Sequence, residues 1–173
     1  MASLSYAAPT TVSEAISILS GATGLAKVMS GGTDLLVQLR AGRVKPSVIV
    51  DTKKIPGMIG IREVNGGFVI GAATSGALIG EHAGLNAAYP GVVEATNLIG
   101  STQVQGRASL AGNLCNASPA ADSVPAPTVI GYAPTGLVDV PVVDRLAAPL
   151  TTEAGSPFTN PVIVAVSPGT EPP

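Results

Sequence analysis

The stretch that decides the fold reads Met29-Ser30-Gly31-Gly32-Thr33-Asp34-Leu35. A short apolar strand pattern leads into it, and an amphipathic helix pattern leads out of it. Because glycine has no Cβ, Gly31 and Gly32 allow backbone N–H groups to turn towards an anion and approach it closely. The helix that follows adds further free N–H groups and a partial positive charge. The stretch therefore predicts a phosphate-binding loop.

The alternative for this stretch is structural: a tight strand–helix turn whose helix is capped by Thr33 or Asp34. No Gly-Lys-Ser/Thr follows the glycines, which excludes a Walker loop, and the Rossmann fingerprint Gly-x-Gly-x-x-Gly is also missing. The residues of the stretch alone leave both interpretations open.

A second run of small residues, Ser109-Leu110-Ala111-Gly112-Asn113, lies much further along the chain. Its small side chains would admit a flat or extended ligand, and Ser109, Asn113, Asn116 and Asp122 offer donors and acceptors that could orient one. An irregular turn that bonds to itself is the alternative. Two such loops together favour a bound dinucleotide more than either loop alone.

The patterns up to residue 55 alternate between helix and strand, which favours a small parallel sheet. Thr11 and Glu14 have capping-box spacing for a helix that turns Ile16 and Leu19 inward and ends near Gly21. The other elements expected here are an extended segment at 6–9, strands at 27–29 and 48–51, and a helix at 34–40 with Leu35, Leu36 and Leu39 on one face.

The pattern changes after Pro56. Two strands, 59–63 and 68–71, flank Asn65-Gly66, a strong hairpin turn signal. Helices are expected over 73–83, capped by Thr74 or Ser75, over 90–98 and after Pro119, and a further strand over 137–143. The fold class is therefore α+β, with a small parallel βαβ lobe at 1–55 and a larger mixed-sheet lobe at 56–166. This second lobe is expected to be irregular after about residue 125, and 167–173 to form a loose tail.

The composition excludes several kinds of function. The chain has 173 residues, a formal net charge of −2, one histidine (His82) and one cysteine (Cys115). One cysteine excludes an internal disulfide framework, and no zinc or iron–sulfur site is expected within the chain. The net charge gives no argument for nucleic-acid binding. No secretory signal or transmembrane segment is expected, which predicts a soluble cytoplasmic protein. With so few acid–base or nucleophilic groups, any chemistry should belong to a bound cofactor.

At the two loops the sequence resembles the flavin-binding medium subunit of molybdenum hydroxylases, the relatives of carbon monoxide dehydrogenase and xanthine dehydrogenase with a PCMH-type FAD-binding fold. The segments that carry the resemblance are 27–35, 69–74, 99–107 and 109–122, in family order and with family spacing. It covers roughly residues 5–125. The sequence departs from the family at Ala111, where a glycine is usual, and the chain is expected to stop before the family's usual C-terminal domain.

The resemblance implies FAD as cofactor. It assigns residues 28–35 to the pyrophosphate, Ile99 to the face of the isoalloxazine, Ser109 to Asn113 to the flavin and diphosphate, Asp122 to another part of the cofactor, and Thr74 to the flavin's surroundings. The implied cofactor-binding residues are Val28, Met29, Ser30, Gly31, Gly32, Thr33, Asp34, Leu35, Thr74, Ile99, Ser109, Ala111, Gly112, Asn113 and Asp122.

The implied role is electron transfer within a complex. The expected partners are a molybdopterin-binding large subunit, a [2Fe-2S] small subunit and an acceptor such as a quinone, NAD or oxygen. Two alternatives stay open: a non-catalytic scaffold or assembly module that no longer holds FAD, and a small protein that binds another nucleotide.

Overall fold

Two three-stranded sheets organise the chain. The computed structural model describes residues 4–64, 67–116, 123 and 163–166. The strands are β1 Ser5–Ala7, β2 Ala26–Met29, β3 Val48–Asp51, β4 Ile61–Val64, β5 Gly67–Gly71 and β6 Ile163–Val166. The helices are α1 Val12–Ser20, α2 Leu35–Arg40, α3 Gly76–Gly80, α4 Ala83–Ala88, α5 Pro90–Asn97, α6 Thr102–Gln105 and α7 Leu110–Asn116, with a 3-10 turn at Thr52–Lys54.

The first sheet is parallel and has the order β1-β3-β2. Its central strand β3 is buried along its whole length, as expected for an apolar run covered on both faces. Helix α1 packs against it through Ala15 and begins at a cap in which Thr11 Oγ1 accepts a hydrogen bond from Glu14 N at 3.1 Å. The Glu14 carboxylate accepts one from Thr10 N at 2.9 Å, so the predicted capping box is confirmed, displaced by one residue.

Helix α2 follows the glycine loop as predicted, but its apolar face differs from the expectation. Leu35 and Leu39 are half-buried, whereas Leu36 is 50% exposed, so the face that carries the three leucines is covered only in part. None of the six residues of α2 is fully buried.

The second sheet has the order β4-β5-β6 and is antiparallel between its described strands. Val64 lies opposite Gly67, so β4 and β5 pair as the hairpin signal predicts, while the turn residues Asn65-Gly66 lie outside the described residues. Strand β6 lies in a segment that was expected to be irregular. The expectation fails there because a strand's hydrogen-bonding partner, here the distant edge of β5, is not encoded by local pattern.

Short helices cover the second sheet. The single helix expected over 73–83 is instead α3 and α4, separated at His82, whose Nδ1 accepts a hydrogen bond from Leu85 N at 3.0 Å. Ser75 caps α3 and Pro90 occupies the first turn of α5, both as predicted. The second small-residue loop is in fact the start of helix α7, with Ser109 just before it. The core of this layer consists of Phe68, Ile70, Ile79, Leu85, Val92, Val93, Leu110 and Ala111.

The α+β class, with one parallel sheet and one antiparallel sheet, is confirmed, and no helix in the described part of the chain is long and apolar enough to cross a membrane. The boundary near residue 55 and the loose tail at 167–173 stay predictions. The helix expected after Pro119 and the strand expected at 137–143 lie outside the described residues.

Candidate functional site

A cavity of about 480 Å³ lies beside the glycine loop, bounded by α1, α2 and the start of α7. Its volume falls within the range of small-molecule and cofactor sites. Thirteen of the fifteen residues that the sequence assigned to a cofactor line it. These are Val28, Met29, Ser30, Gly31, Gly32, Thr33, Asp34, Leu35, Ile99, Ser109, Ala111, Gly112 and Asn113.

The backbone of the glycine loop presents a run of unpaired donors. Within the part of the chain that the structure describes, the N–H groups of residues 31–35 make no intramolecular hydrogen bond. Gly32 has a φ of +80°, a conformation that side chains with a Cβ rarely adopt. A run of N–H groups along a cavity wall can bind an anion without any positively charged side chain.

Gly31 has a different role from the one its sequence context suggested. A Cβ at Gly31 would lie 2.7 Å from the carbonyl carbon of Arg107 and would overlap its carbonyl oxygen. The missing side chain of Gly31 therefore permits close contact with the backbone of Arg107, while the approach of its N–H group to a ligand stays a prediction. The missing Cβ brings the two small-residue segments together at one edge of the cavity.

A chain of hydroxyl groups joins the same two segments. Ser30 Oγ donates to the carbonyl oxygen of Ala72 at 3.3 Å and lies 2.8 Å from Ser109 Oγ. Because a carbonyl only accepts, the Ser30 proton points to Ala72 and Ser109 donates to Ser30. Ser109 Oγ in turn accepts from Gly112 N at 3.1 Å. Three separate segments are thus held together at the cavity wall.

An ion pair whose two residues do not line the cavity supports the loop. Lys53 Nζ donates to the Ser30 carbonyl at 2.7 Å and to both oxygens of Asp51 at 2.8 Å. Tyr6 OH donates to Asp51 Oδ2 at 2.7 Å. Burial by itself would raise the pKa of Asp51, but the hydrogen bonds from Lys53 and Tyr6 outweigh it and hold the pKa below its usual value. The hydrogen bond to Asp51 raises the pKa of Tyr6.

Two of the assigned residues are not among the cavity's lining. Thr74 is fully buried, and its Oγ1 both donates to the Gly60 carbonyl and accepts from Gly60 N, each at 3.0 Å. Asp122 lies outside the described residues. Ala111, which stands where a glycine is usual in the family it resembles, is only 4% exposed and packs into the core of the second layer while also lining the cavity.

Sequence reasoning missed one wall of the cavity. Helix α1 contributes Val12, Ala15, Ile16 and Leu19. The helical period of these residues predicts an apolar face, but it does not reveal that the face borders a cavity. Lys27 is the only basic side chain among the described lining residues. Burial raises the pKa of the Cys115 thiol, which argues against a reactive thiolate there, and the described residues contain no cluster of metal ligands.

Comparison with known protein families gives a match over residues 2–132 to a family described as the FAD binding domain in molybdopterin dehydrogenase. Among similar proteins, the carbon monoxide dehydrogenase medium chain of Hydrogenophaga pseudoflava is 32% identical over 117 residues, covering 68% of this chain and 41% of that protein. The xanthine dehydrogenase FAD-binding subunit of Escherichia coli O157:H7 is 31% identical over 145 residues, covering 80% of this chain and 49% of that protein.

The fold is also found in solved structures. Reconstituted CO dehydrogenase from Oligotropha carboxidovorans matches with a TM-score of 0.67 and 27% identity, over 75% of this chain and 44% of the matched chain. The present chain spans less than half the length of these relatives.

Proposed function

This chain belongs to the family of FAD-binding domains of molybdopterin dehydrogenases, an oxidoreductase family whose cofactor is FAD, and from this premise we propose that its cavity beside the glycine loop holds FAD. The observation that carries the proposal is the convergence of both small-residue segments on that one cavity. They are far apart in the chain, and only the fold brings them together.

The residues present fit the chemistry of this cofactor. The unpaired N–H groups of residues 31–35 suit the diphosphate, which is an anion with many acceptor oxygens. The apolar lining residues Ile16, Leu19 and Ile99 suit a flat aromatic ring, and the side-chain oxygen of Asn113, whose Nδ2 donates to Ser123 Oγ at 2.6 Å, offers an acceptor for its edge. When bound, FAD supplies a group that takes up and releases electrons. The chain's own task is to bind it, orient it and exclude water.

We also propose the finer role that the family resemblance implies. The chain serves as the electron-transfer subunit of a molybdenum hydroxylase, beside a molybdopterin-binding large subunit and a [2Fe-2S] small subunit, with a quinone, NAD or oxygen as acceptor. The scarcity of acid–base groups around the cavity supports this division of labour, since the substrate would react elsewhere. A cytoplasmic location is part of the proposal, supported by the single cysteine.

The experiment is a titration of the purified chain with FAD, followed by desalting and a visible absorption spectrum. We expect flavin bands to stay with the protein. The variant Gly32→Val should abolish retention, because valine cannot keep φ near +80° and the N–H groups would be redirected. The matched control is Gly42→Val: Gly42 has a φ of +66°, has open space around it and does not line the cavity.

If the two variants retain as much FAD as the unmodified chain, the glycine loop is only a turn. A folded chain that retains no flavin would instead favour the scaffold alternative. The observation in favour of that alternative is Ala111, whose methyl group takes up space at the cavity wall where the family usually has none. Circular dichroism of each variant would establish that it is folded.

A further inference from the structure

Lys53 contacts the glycine loop at the Ser30 carbonyl and does not line the cavity of about 480 Å³. Lys53 follows β3 in the 3-10 turn at Thr52–Lys54, and its side chain is connected to the glycine loop by the hydrogen bond to the Ser30 carbonyl. Neither loop motif includes it, so sequence patterns around the glycines give no reason to notice it.

We propose that Lys53 is a positioning residue that sets the direction of the loop's N–H groups, an inference that rests on the proposed binding of FAD. The carbonyl of Ser30 and the N–H of Gly31 belong to one peptide unit. The described chain contains no cis peptide bond, and in a planar trans unit the C=O and N–H point in opposite directions. By holding the Ser30 oxygen at 2.7 Å, Lys53 fixes the Gly31 N–H on the other side of the loop.

The preceding peptide unit is held in the same way. Thr52 Oγ1 donates to the Met29 carbonyl at 3.3 Å, which orients the N–H of Ser30. Two consecutive peptide units at the entrance of the glycine loop are therefore aligned by two consecutive residues of the 3-10 turn. Gly32 has no side chain to restrict its rotation, but it follows two peptide units whose planes are fixed by these hydrogen bonds.

Charge neutralisation shows that Lys53 acts through geometry rather than attraction. Its ammonium group contacts both oxygens of Asp51, which is only 5% exposed and also bonded by Tyr6. The two opposite charges lie 2.8 Å apart and partly offset each other. Asp51 and Tyr6 fix the ammonium in place, and Lys53 transmits that position to the loop.

The test compares Lys53→Met with Lys53→Arg and with Lys54→Met, which changes an exposed lysine of the same turn that makes no hydrogen bond within the described residues. Without FAD, the NMR residual dipolar couplings of the Gly31 and Gly32 N–H bonds, which report the direction of each bond, should change in Lys53→Met only. The FAD dissociation constant should rise roughly tenfold, the effect of losing one hydrogen bond from a charged donor. Lys53→Arg should restore most of both, because arginine keeps a positive charge beside Asp51 and a donor for the Ser30 carbonyl.

Unchanged N–H dipolar couplings in a folded Lys53→Met variant would overturn the proposal, and so would changed couplings with unchanged FAD affinity. If Lys53→Met does not fold, Lys53→Gln keeps a shorter donor and is measured in its place. If the unmodified chain binds no FAD, the proposed function fails, and the dipolar couplings of the free protein still decide whether Lys53 orients the loop.

Discussion

Replacing Gly31 by alanine should separate the two segments that form the cavity. The added Cβ would lie 2.7 Å from the Arg107 carbonyl carbon, whereas carbon atoms in contact sit about 3.5–4.0 Å apart. The backbone must therefore yield by about 1 Å. The backbone at Arg107 cannot move easily, because the neighbouring residue Ala108 donates a hydrogen bond from its N–H to the Val104 carbonyl and accepts one from Gly76 N.

Overpacking of this kind costs about 1–3 kcal/mol, and loss of the Ser30–Ser109 hydrogen bond adds about 1 kcal/mol. We expect Gly31→Ala to lower the free energy of unfolding by about 2–4 kcal/mol, measured by urea denaturation followed by circular dichroism. The control is Gly91→Ala, in helix α5 with no atom near its Cβ, which should be neutral or stabilising by up to about 1 kcal/mol. A loss below about 0.5 kcal/mol for Gly31→Ala would refute the reasoning.

Two further outcomes follow from charged side chains. Lys27→Met should weaken the binding of FAD about 3- to 10-fold at low salt and less at high salt, because it removes the one basic group among the described lining residues. The binding of riboflavin, which lacks the diphosphate, should not change. The exposed control Lys45→Met should leave the binding of FAD unchanged in the same fluorescence titration. Because the folded pKa of Asp51 is lowered, its contribution to stability is complete above its unfolded pKa of about 4 and is lost as the pH falls through the folded value. In urea unfolding between pH 6 and 3, the deficit of Asp51→Asn should therefore shrink towards acid, and a constant deficit would contradict the argument.

Local sequence signals predicted the first sheet well. Its central strand is a buried and mainly apolar run, its first helix carries a capping box, and each connection is short. Such features are decided by neighbours within a few residues, and they were confirmed to within a residue or two. The glycine loop between β2 and α2 belongs to this group.

The features that the sequence did not predict share a physical cause, because each depends on contacts between distant segments. Whether Leu36 is covered, whether Ile163–Val166 finds a strand partner, and whether α1 borders a core or a cavity are settled by tertiary packing. Gly31 shows the same limit: its sequence context predicts close approach, but not that Arg107 is what approaches. The positions assigned to FAD came from family resemblance, and thirteen of them line one cavity; their contact with the cofactor stays a prediction.

The spacing of the cavity's walls along the chain has a consequence for biosynthesis. The parallel sheet and its glycine loop are complete once Asp51 has been made, but the part of the cavity wall around Ser109 follows 58 residues later, the difference between positions 109 and 51. At about 5–20 residues per second, this interval lasts roughly 3–12 s on the ribosome. Throughout it the nascent chain carries half a binding site. Cofactor capture is therefore a late event in the life of the nascent chain, and the first sheet must stay folded without it.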